Sequence, residues 1–258
     1  MISQLREIYG YREMIWMLVR RDLRGRYKGS ALGFLWTFLN PLLQLGVYTV
    51  VFSIIMRAGI EKYYLFLFVA LIPWMAFSTS IQGGATCILT QKSMVTKIHF
   101  PRQVLPIAHV TTCFVNMLLC FIVVFIVCGF GIGINLAVLP FLIPVIIIEY
   151  ILALGLCLMV SGITVFFRDM EHIMGIFVMM WQFLTPVMYS VDTVPERLRG
   201  IFMINPMTPV IICYRDILYY KQVPQMQHLA LSLALGLICL VAGWFMFDHL
   251  QKHFAEEL

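Results

Sequence analysis

RRDLRGRYKGSALGFLWTFLNPLL, residues 20–43, decides how this chain meets a bilayer. Its first part holds Arg20, Arg21, Arg24, Arg26 and Lys28, and after Gly29-Ser30 no charged side chain occurs from Ala31 to Met56. With Arg6 and Arg12, seven Lys or Arg residues precede Ser30. Basic residues that flank a membrane span stay in the cytoplasm, so the N-terminus is expected inside and the first span runs outward. Roughly thirty polar and amphipathic residues come first, without a short basic region and small-residue cleavage site, so this start is expected to be retained.

Working outward, the chain is 61% hydrophobic and 12% charged, where soluble proteins average about 25% charged. Uncharged runs cover 31–56, 63–91, 103–148, 150–167, 172–191 (counting His172 as neutral) and 222–247. A bilayer core takes about 20 apolar residues per helix. The expected fold is an all-α polytopic membrane protein in one transmembrane domain over 1–258, with six spans. Seven cysteines lie almost wholly inside apolar runs without metal-ligand spacing and read as free core thiols. The net charge of +5 is accounted for by positive-inside bias and anionic headgroups, without a nucleic-acid partner.

Leu5, Ile8, Ile15, Trp16, Val19 and Leu23 recur at mostly helical spacing, with Arg6, Glu13, Arg20 and Arg24 on another face. Residues 1–30 therefore read as a cytoplasmic amphipathic helix, either a plain anchor or also a ledge for a partner. Spans one to five occupy 31–189. The first contains Asn40-Pro41, which removes a backbone hydrogen bond mid-helix, followed by Gln44, Tyr48 and Phe52 on one face. The second is read from Tyr63 to Leu89, and the inner loop after it carries Lys92, Lys97 and Arg102 without an acid. The third is read over Val104–Val127 and the fourth over Val138–Phe167, with Glu149 inside it. An acid there either contacts substrate or a gate, or is a neutral side chain tied to a neighbouring helix. The fifth, Ile173–Tyr189, puts Phe177, Trp181 and Thr185 on one face. Such faces either pack in the core or line a pore.

Residues 190–227 are too polar for a simple span and hold Pro195, Pro206, Pro209 and Pro224. Two short outer helices, Glu196–Ile204 and Pro209–Tyr219, interfacial or re-entrant, are expected around Asn205-Pro206. The sixth span, Leu229–Phe247, and a cytoplasmic tail fill 228–258. Under this topology twelve of the eighteen Lys and Arg lie inside and six outside.

No G-x-x-x-x-G-K-[ST] loop is present to cradle nucleotide phosphates, nor H-E-x-x-H, G-x-S-x-G or a Cys/His zinc pattern. Arg168-Asp169-Met170-Glu171-His172 reads as an ordinary helix start with acids near the positive dipole end.

The run Arg20-Arg21-Asp22-Leu23-Arg24-Gly25-Arg26-Tyr27-Lys28-Gly29-Ser30-Ala31-Leu32-Gly33-Phe34-Leu35-Trp36, on to Asn40-Pro41, resembles the opening of the permease subunits of ABC-2-type polysaccharide exporters. The resemblance extends through Phe167-Arg168-Asp169, Asn205-Pro206-Met207-Thr208-Pro209 and Tyr214-Arg215-Asp216. It implies a bacterial inner-membrane permease with both termini cytoplasmic, moving a lipid-linked O antigen, capsule or teichoic acid polymer as a homodimer. It also implies a separate ABC ATP-binding subunit that carries the ATP and Mg, leaving this chain without a cofactor or a catalytic or metal site. Arg20, Arg21, Arg24, Lys92, Lys97 and Arg102 would meet that subunit. Gln44, Tyr48, Phe52, Phe177 and Trp181 would face the channel. Asn205, Pro206, Arg215 and Asp216 would belong to outer gate helices between spans five and six, with Glu149 as an intramembrane acid. The alternatives are a permease for a small lipid or drug, or a membrane-embedded lipid-glycan transferase using Glu149 or Asp169 as base.

Overall fold

The computed structural model describes residues 2–25, 29–56 and 59–257, so Arg26 and Lys28 of the basic cluster lie outside the described residues. The α-helices are α1 (Ile2–Gly10), α2 (Arg12–Gly25), α3 (Trp36–Thr49), α4 (Tyr63–Thr86), α5 (Lys92–Lys97), α6 (Val104–Gly131), α7 (Leu142–Phe166), α8 (Met170–Leu184), α9 (Glu196–Ile204), α10 (Met207–Leu218), α11 (Met226–Leu250) and α12 (Phe254–Glu257). The amphipathic stretch at the start is two helices, interrupted at Gly10-Tyr11, where glycine's freedom weakens the helix. No strand occurs among the described residues.

Five helical stretches are long and apolar enough to cross a bilayer: Gly33–Ile55, Tyr63–Thr86, Val104–Gly131, Leu139–Phe166 and Met226–His253. Bent by 101°, α9 and α10 make a sixth when taken together. The fold is thus a polytopic membrane protein with five to six candidate spans. One boundary differs from expectation. The fifth apolar run is helical for only 15 residues, about 22 Å of rise against a hydrocarbon core of about 30 Å. Thr185 stands before Pro186, whose ring pushes the preceding residue out of the helical region, and it adopts φ −104°, ψ 133°.

The helices gather around α4, which packs against α3, α6, α7, α8 and α10. Its sequence is apolar on every face, and such a helix is buried rather than amphipathic; Leu65 to Trp74 are all buried. In α3, Pro41 leaves the carbonyl of Thr37 without its helical donor, and the Cys120 thiol of α6 donates to it instead at 3.4 Å. By contrast, α3, α8 and α11 lie at the edge of the bundle with apolar side chains exposed, among them Val47, Ile176, Phe183 and Ile238.

Helices α7 and α11 touch backbone to backbone. A Cβ on Gly243 would lie 2.1 Å from the carbonyl oxygen of Gly155, and one on Gly155 would lie 2.5 Å from the backbone of Cys239. Small residues permit this approach in lipid, where association rests on van der Waals packing rather than on hydrophobic exclusion.

Both termini meet on one face. The amide of Gln4 donates to Asp248 at 2.7 Å and accepts from the indole of Trp244 at 3.1 Å, so α1 is tied to the end of α11. Helix α2 packs on α6, and Phe254 packs against Phe166 at the end of α7. The opposite face carries the α3–α4 and α6–α7 connections and the segment from α10 to α11.

Gly243→Ala is expected to destabilise the purified protein by about 1–3 kcal/mol through overpacking, read as a lower thermal unfolding midpoint in detergent. Gly200→Ala, where an added Cβ meets nothing within 4 Å, is the control and should leave the midpoint unchanged or raise it.

Candidate functional site

The residues between α8 and α10 form a continuous network of polar contacts. After α8 stops, Thr185, Pro186, Val187 and Met188 continue as a buried non-helical strip. The turn after Leu184 carries the fifth run on to Tyr63 and Arg215 at the far face. Irregular backbone at membrane depth is tolerated only when its polar groups are satisfied by protein or by cavity water. Here Asn205 Nδ2 donates to the Leu184 carbonyl at 3.1 Å, and the Val187 amide donates to the Thr185 carbonyl at 2.7 Å. Arg215 Nη2 reaches the Val187 carbonyl at 2.7 Å, the Tyr63 hydroxyl reaches that of Met188 at 2.7 Å, and Arg215 Nη1 reaches that of Tyr189 at 3.0 Å.

Arg215 is therefore the centre of the site. It is 3% exposed, its Nε donates to the Phe66 carbonyl at 3.4 Å, and its guanidinium lies 3.6 Å from the centroid of the Phe66 ring. Among the described residues no carboxylate pairs with it. Neighbouring Asp216 points elsewhere, since successive helical residues are about 100° apart; it accepts from Gln222 Nε2 at 2.8 Å and fixes the chain beyond α10. Arg215 and Asp216 thus hold different segments.

The α9–α10 joint is built on Asn205, extended at φ −63°, ψ 114° ahead of Pro206. Its Oδ1 accepts from the Met207 amide at 3.1 Å and from the Trp181 indole at 2.9 Å, while Nδ2 also reaches Thr185 Oγ1 at 2.9 Å. One side chain thereby joins the end of α8, its Trp181 and the start of α10. Nearly all of α10 is buried and none of α9 is, so the segment enters the bundle on α10 while α9 stays at its surface.

Of the aromatic residues expected along a channel, Trp181 packs on Phe77 and on Phe177, each at 5.2 Å between centroids, with Phe177 exposed. Tyr48 accepts from Gln44 at 3.0 Å and from Gln182 of α8 at 3.5 Å. Phe52 packs on Tyr48 and Tyr63. A polar and aromatic row therefore bridges α3 and α8 along the edge of the bundle. Glu149 is fully buried on α7, far from that row in the contacts it makes. Its Oε2 accepts from Tyr214 at 2.6 Å, and Oε1 has no partner among the described residues.

On the termini face, Arg20, Arg24, Lys92 and Lys97 are exposed. Arg21 pairs with Asp22 at 3.0 Å and donates to Gln91 at 3.2 Å, tying α2 to the turn before α5. Arg102 donates to the Gln251 carbonyl and lies over the Phe254 ring; partial burial lowers its pKa from the ordinary arginine value. Among the described residues, no cluster of three or more His, Cys, Asp or Glu side chains could hold a metal ion. Sequence reasoning missed Tyr63, Phe66, Gln182 and the strip itself. Pro186 was the available signal, because it marks Thr185 as a helix end.

Single cysteines placed in a background without reactive native thiols test this burial. A cysteine at 201, where Ile201 is 62% exposed, should label rapidly with a membrane-impermeant maleimide, and one at 211, where Ile211 is 0% exposed, should stay protected. Equal labelling would remove α10 from the bundle.

Residues 13–219 match the family model described as ABC-2 type transporter. The chain is 38% identical over 261 residues, all of both proteins, to the O-antigen export system permease protein RfbA of Myxococcus xanthus. It is 31% identical over 252 residues, 95% of each protein, to the protein of the same name from Klebsiella pneumoniae. With most of its length inside the family model and full-length relatives above 30% identity, the chain belongs to the ABC-2 type transporter family.

Proposed function

We propose that this chain is the permease subunit of an ATP-driven exporter that moves a lipid-linked polysaccharide of the O-antigen type across the bacterial inner membrane. The observation that carries this reading is the full-length similarity to two proteins named as O-antigen export permeases. The chain acts as a homodimer with a separate ATP-binding subunit, which supplies ATP and Mg. That subunit docks on the face where α1, α2, α5 and the end of α11 meet, against exposed Arg20, Arg24, Lys92 and Lys97. By the positive-inside bias this face is cytoplasmic.

The channel runs between copies, along α3 and α8. Support comes from their place at the edge of the bundle and from the Gln44, Tyr48 and Gln182 row that bridges them. Sugar rings present C–H faces that pack on aromatic rings, while hydroxyls meet amide and phenol groups, so this surface guides a polymer without selecting one sugar. The α9–α10 segment closes the outer end, and movement there is coupled to α8 through the Trp181–Asn205 hydrogen bond. ATP binding shifts this equilibrium only by its different affinity for the open and closed states.

Purification of the tagged chain from its native membrane in mild detergent should bring down a stoichiometric Walker A protein with Mg-dependent ATPase activity. In vesicles from the same cells, Tyr48→Ala should reduce ATP-dependent polymer export roughly fivefold, the loss of one aromatic contact. A chain that purifies alone would overturn the exporter reading, and undiminished export in Tyr48→Ala would take the aromatic row out of the channel.

A further inference from the structure

On the far face a groove of about 450 Å³ is lined by Glu61, Lys62, Ile132, Tyr219, Tyr220 and Lys221. It lies where the start of α4, the end of α6 and the chain after α10 converge, apart from the α3–α8 row. From its chemistry we infer that this groove binds a sugar residue of the glycan after it has crossed the membrane. The inference rests on the exporter reading and adds to it a second, outer glycan site.

Two observations single the groove out. Lys62 and Lys221 are the only residues other than glycine with positive φ among those described, at 45° and 57°, and both line it. A left-handed backbone is costly for an L-residue and persists where the surroundings over-determine it, which is frequent at binding sites. The surroundings here are definite. Lys62 Nζ donates to the Gly131 carbonyl and Lys221 Nζ to the Ile132 carbonyl, each at 2.8 Å, so both ammonium groups are pinned to the end of α6. The Tyr219 hydroxyl donates to the Glu61 carbonyl at 2.5 Å, and Asn135 Nδ2 donates to the Lys221 carbonyl at 3.3 Å, locking the walls together.

The pinned ammonium groups keep further N–H donors, the exposed Glu61 carboxylate supplies acceptors, and Tyr220, 49% exposed and edge-on to Tyr219 at 4.9 Å, offers a ring face. Donors, acceptors and an aromatic face together suit a pyranose, whose hydroxyls need both and whose C–H face packs on a ring. A simple anion site would not include an acidic residue in its lining. The groove volume falls within the roughly 300–1,000 Å³ of small-molecule sites. Phe66 connects it to the gate, with Tyr219 edge-on to one side of that ring at 5.5 Å and the Arg215 guanidinium over its face.

The test uses the intact exporter in lipid nanodiscs and, as probe, polysaccharide freed of its lipid by mild acid from the host's own envelope. Calorimetric titration should give saturable binding to the wild type. It should weaken about tenfold in Tyr220→Ala and stay near wild type in Tyr220→Phe, which keeps the ring. Equal binding by wild type and Tyr220→Ala, with both folded by their thermal midpoints, would reduce the lysines to caps of α6 and overturn the site. Saturable binding of inorganic phosphate at millimolar concentration, with no glycan binding, would overturn it as an anion site. ATP-dependent export of lipid-linked polymer by the same wild-type protein reconstituted in sealed vesicles separates the two readings: export without Tyr220-dependent binding sinks the groove alone, and absence of export sinks the exporter.

Discussion

A buried guanidinium without a carboxylate is the constraint on which the far half of this molecule depends. Desolvating a charge costs several kcal/mol even after relaxation, and the cost is recovered only where its donors are well met. Arg215 meets three backbone carbonyls and one ring face. Two of those carbonyls belong to the strip after α8, which has neither helix nor sheet to satisfy it. The need is mutual, since the strip requires donors at membrane depth and the charge requires acceptors. Through that exchange α10 is fixed against both α4 and the end of the fifth run.

Three prolines create the breaks that the rest of the packing repairs, each in its own way. Pro41 orphans the Thr37 carbonyl, and a thiol from α6 takes it. Pro186 ends α8 and leaves a run of carbonyls for Asn205, Tyr63 and Arg215. Pro206 turns the chain by 101° between α9 and α10, with the Asn205 side chain capping the new helix. These repairs use tertiary hydrogen bonds between residues distant in sequence, so the far end of the fifth run, the joint and α10 are one construction.

Much of this was legible in the sequence. Apolar run lengths give the spans at α3, α4, α6, α7 and α11 to within a few residues, because burial in lipid imposes length and composition directly. The pieces Glu196–Ile204 and Pro209–Tyr219 were readable from prolines and polarity, and α9 and α10 fall on them within two residues. The fifth run was not, because hydropathy is blind to whether apolar residues are helical or extended. Nor does an Arg-Asp pair in sequence disclose that the two side chains diverge. Glu149 shows the same limit: its burial followed from the run around it, whereas Tyr214 as its partner depends on how α10 enters the bundle.

The most direct test of the account is the accessibility of a cysteine at position 188 to an impermeant maleimide added from outside, in the assembled complex and in a background without reactive native thiols. Met188 is 4% exposed, and its carbonyl is held by Tyr63 within the strip that Arg215 braces on either side. The account predicts slow labelling with Arg215 present and fast labelling in Arg215→Met, as the strip comes away from α4 and α10. Equally slow labelling in both proteins would contradict the claim that this guanidinium holds the strip against α4 and α10.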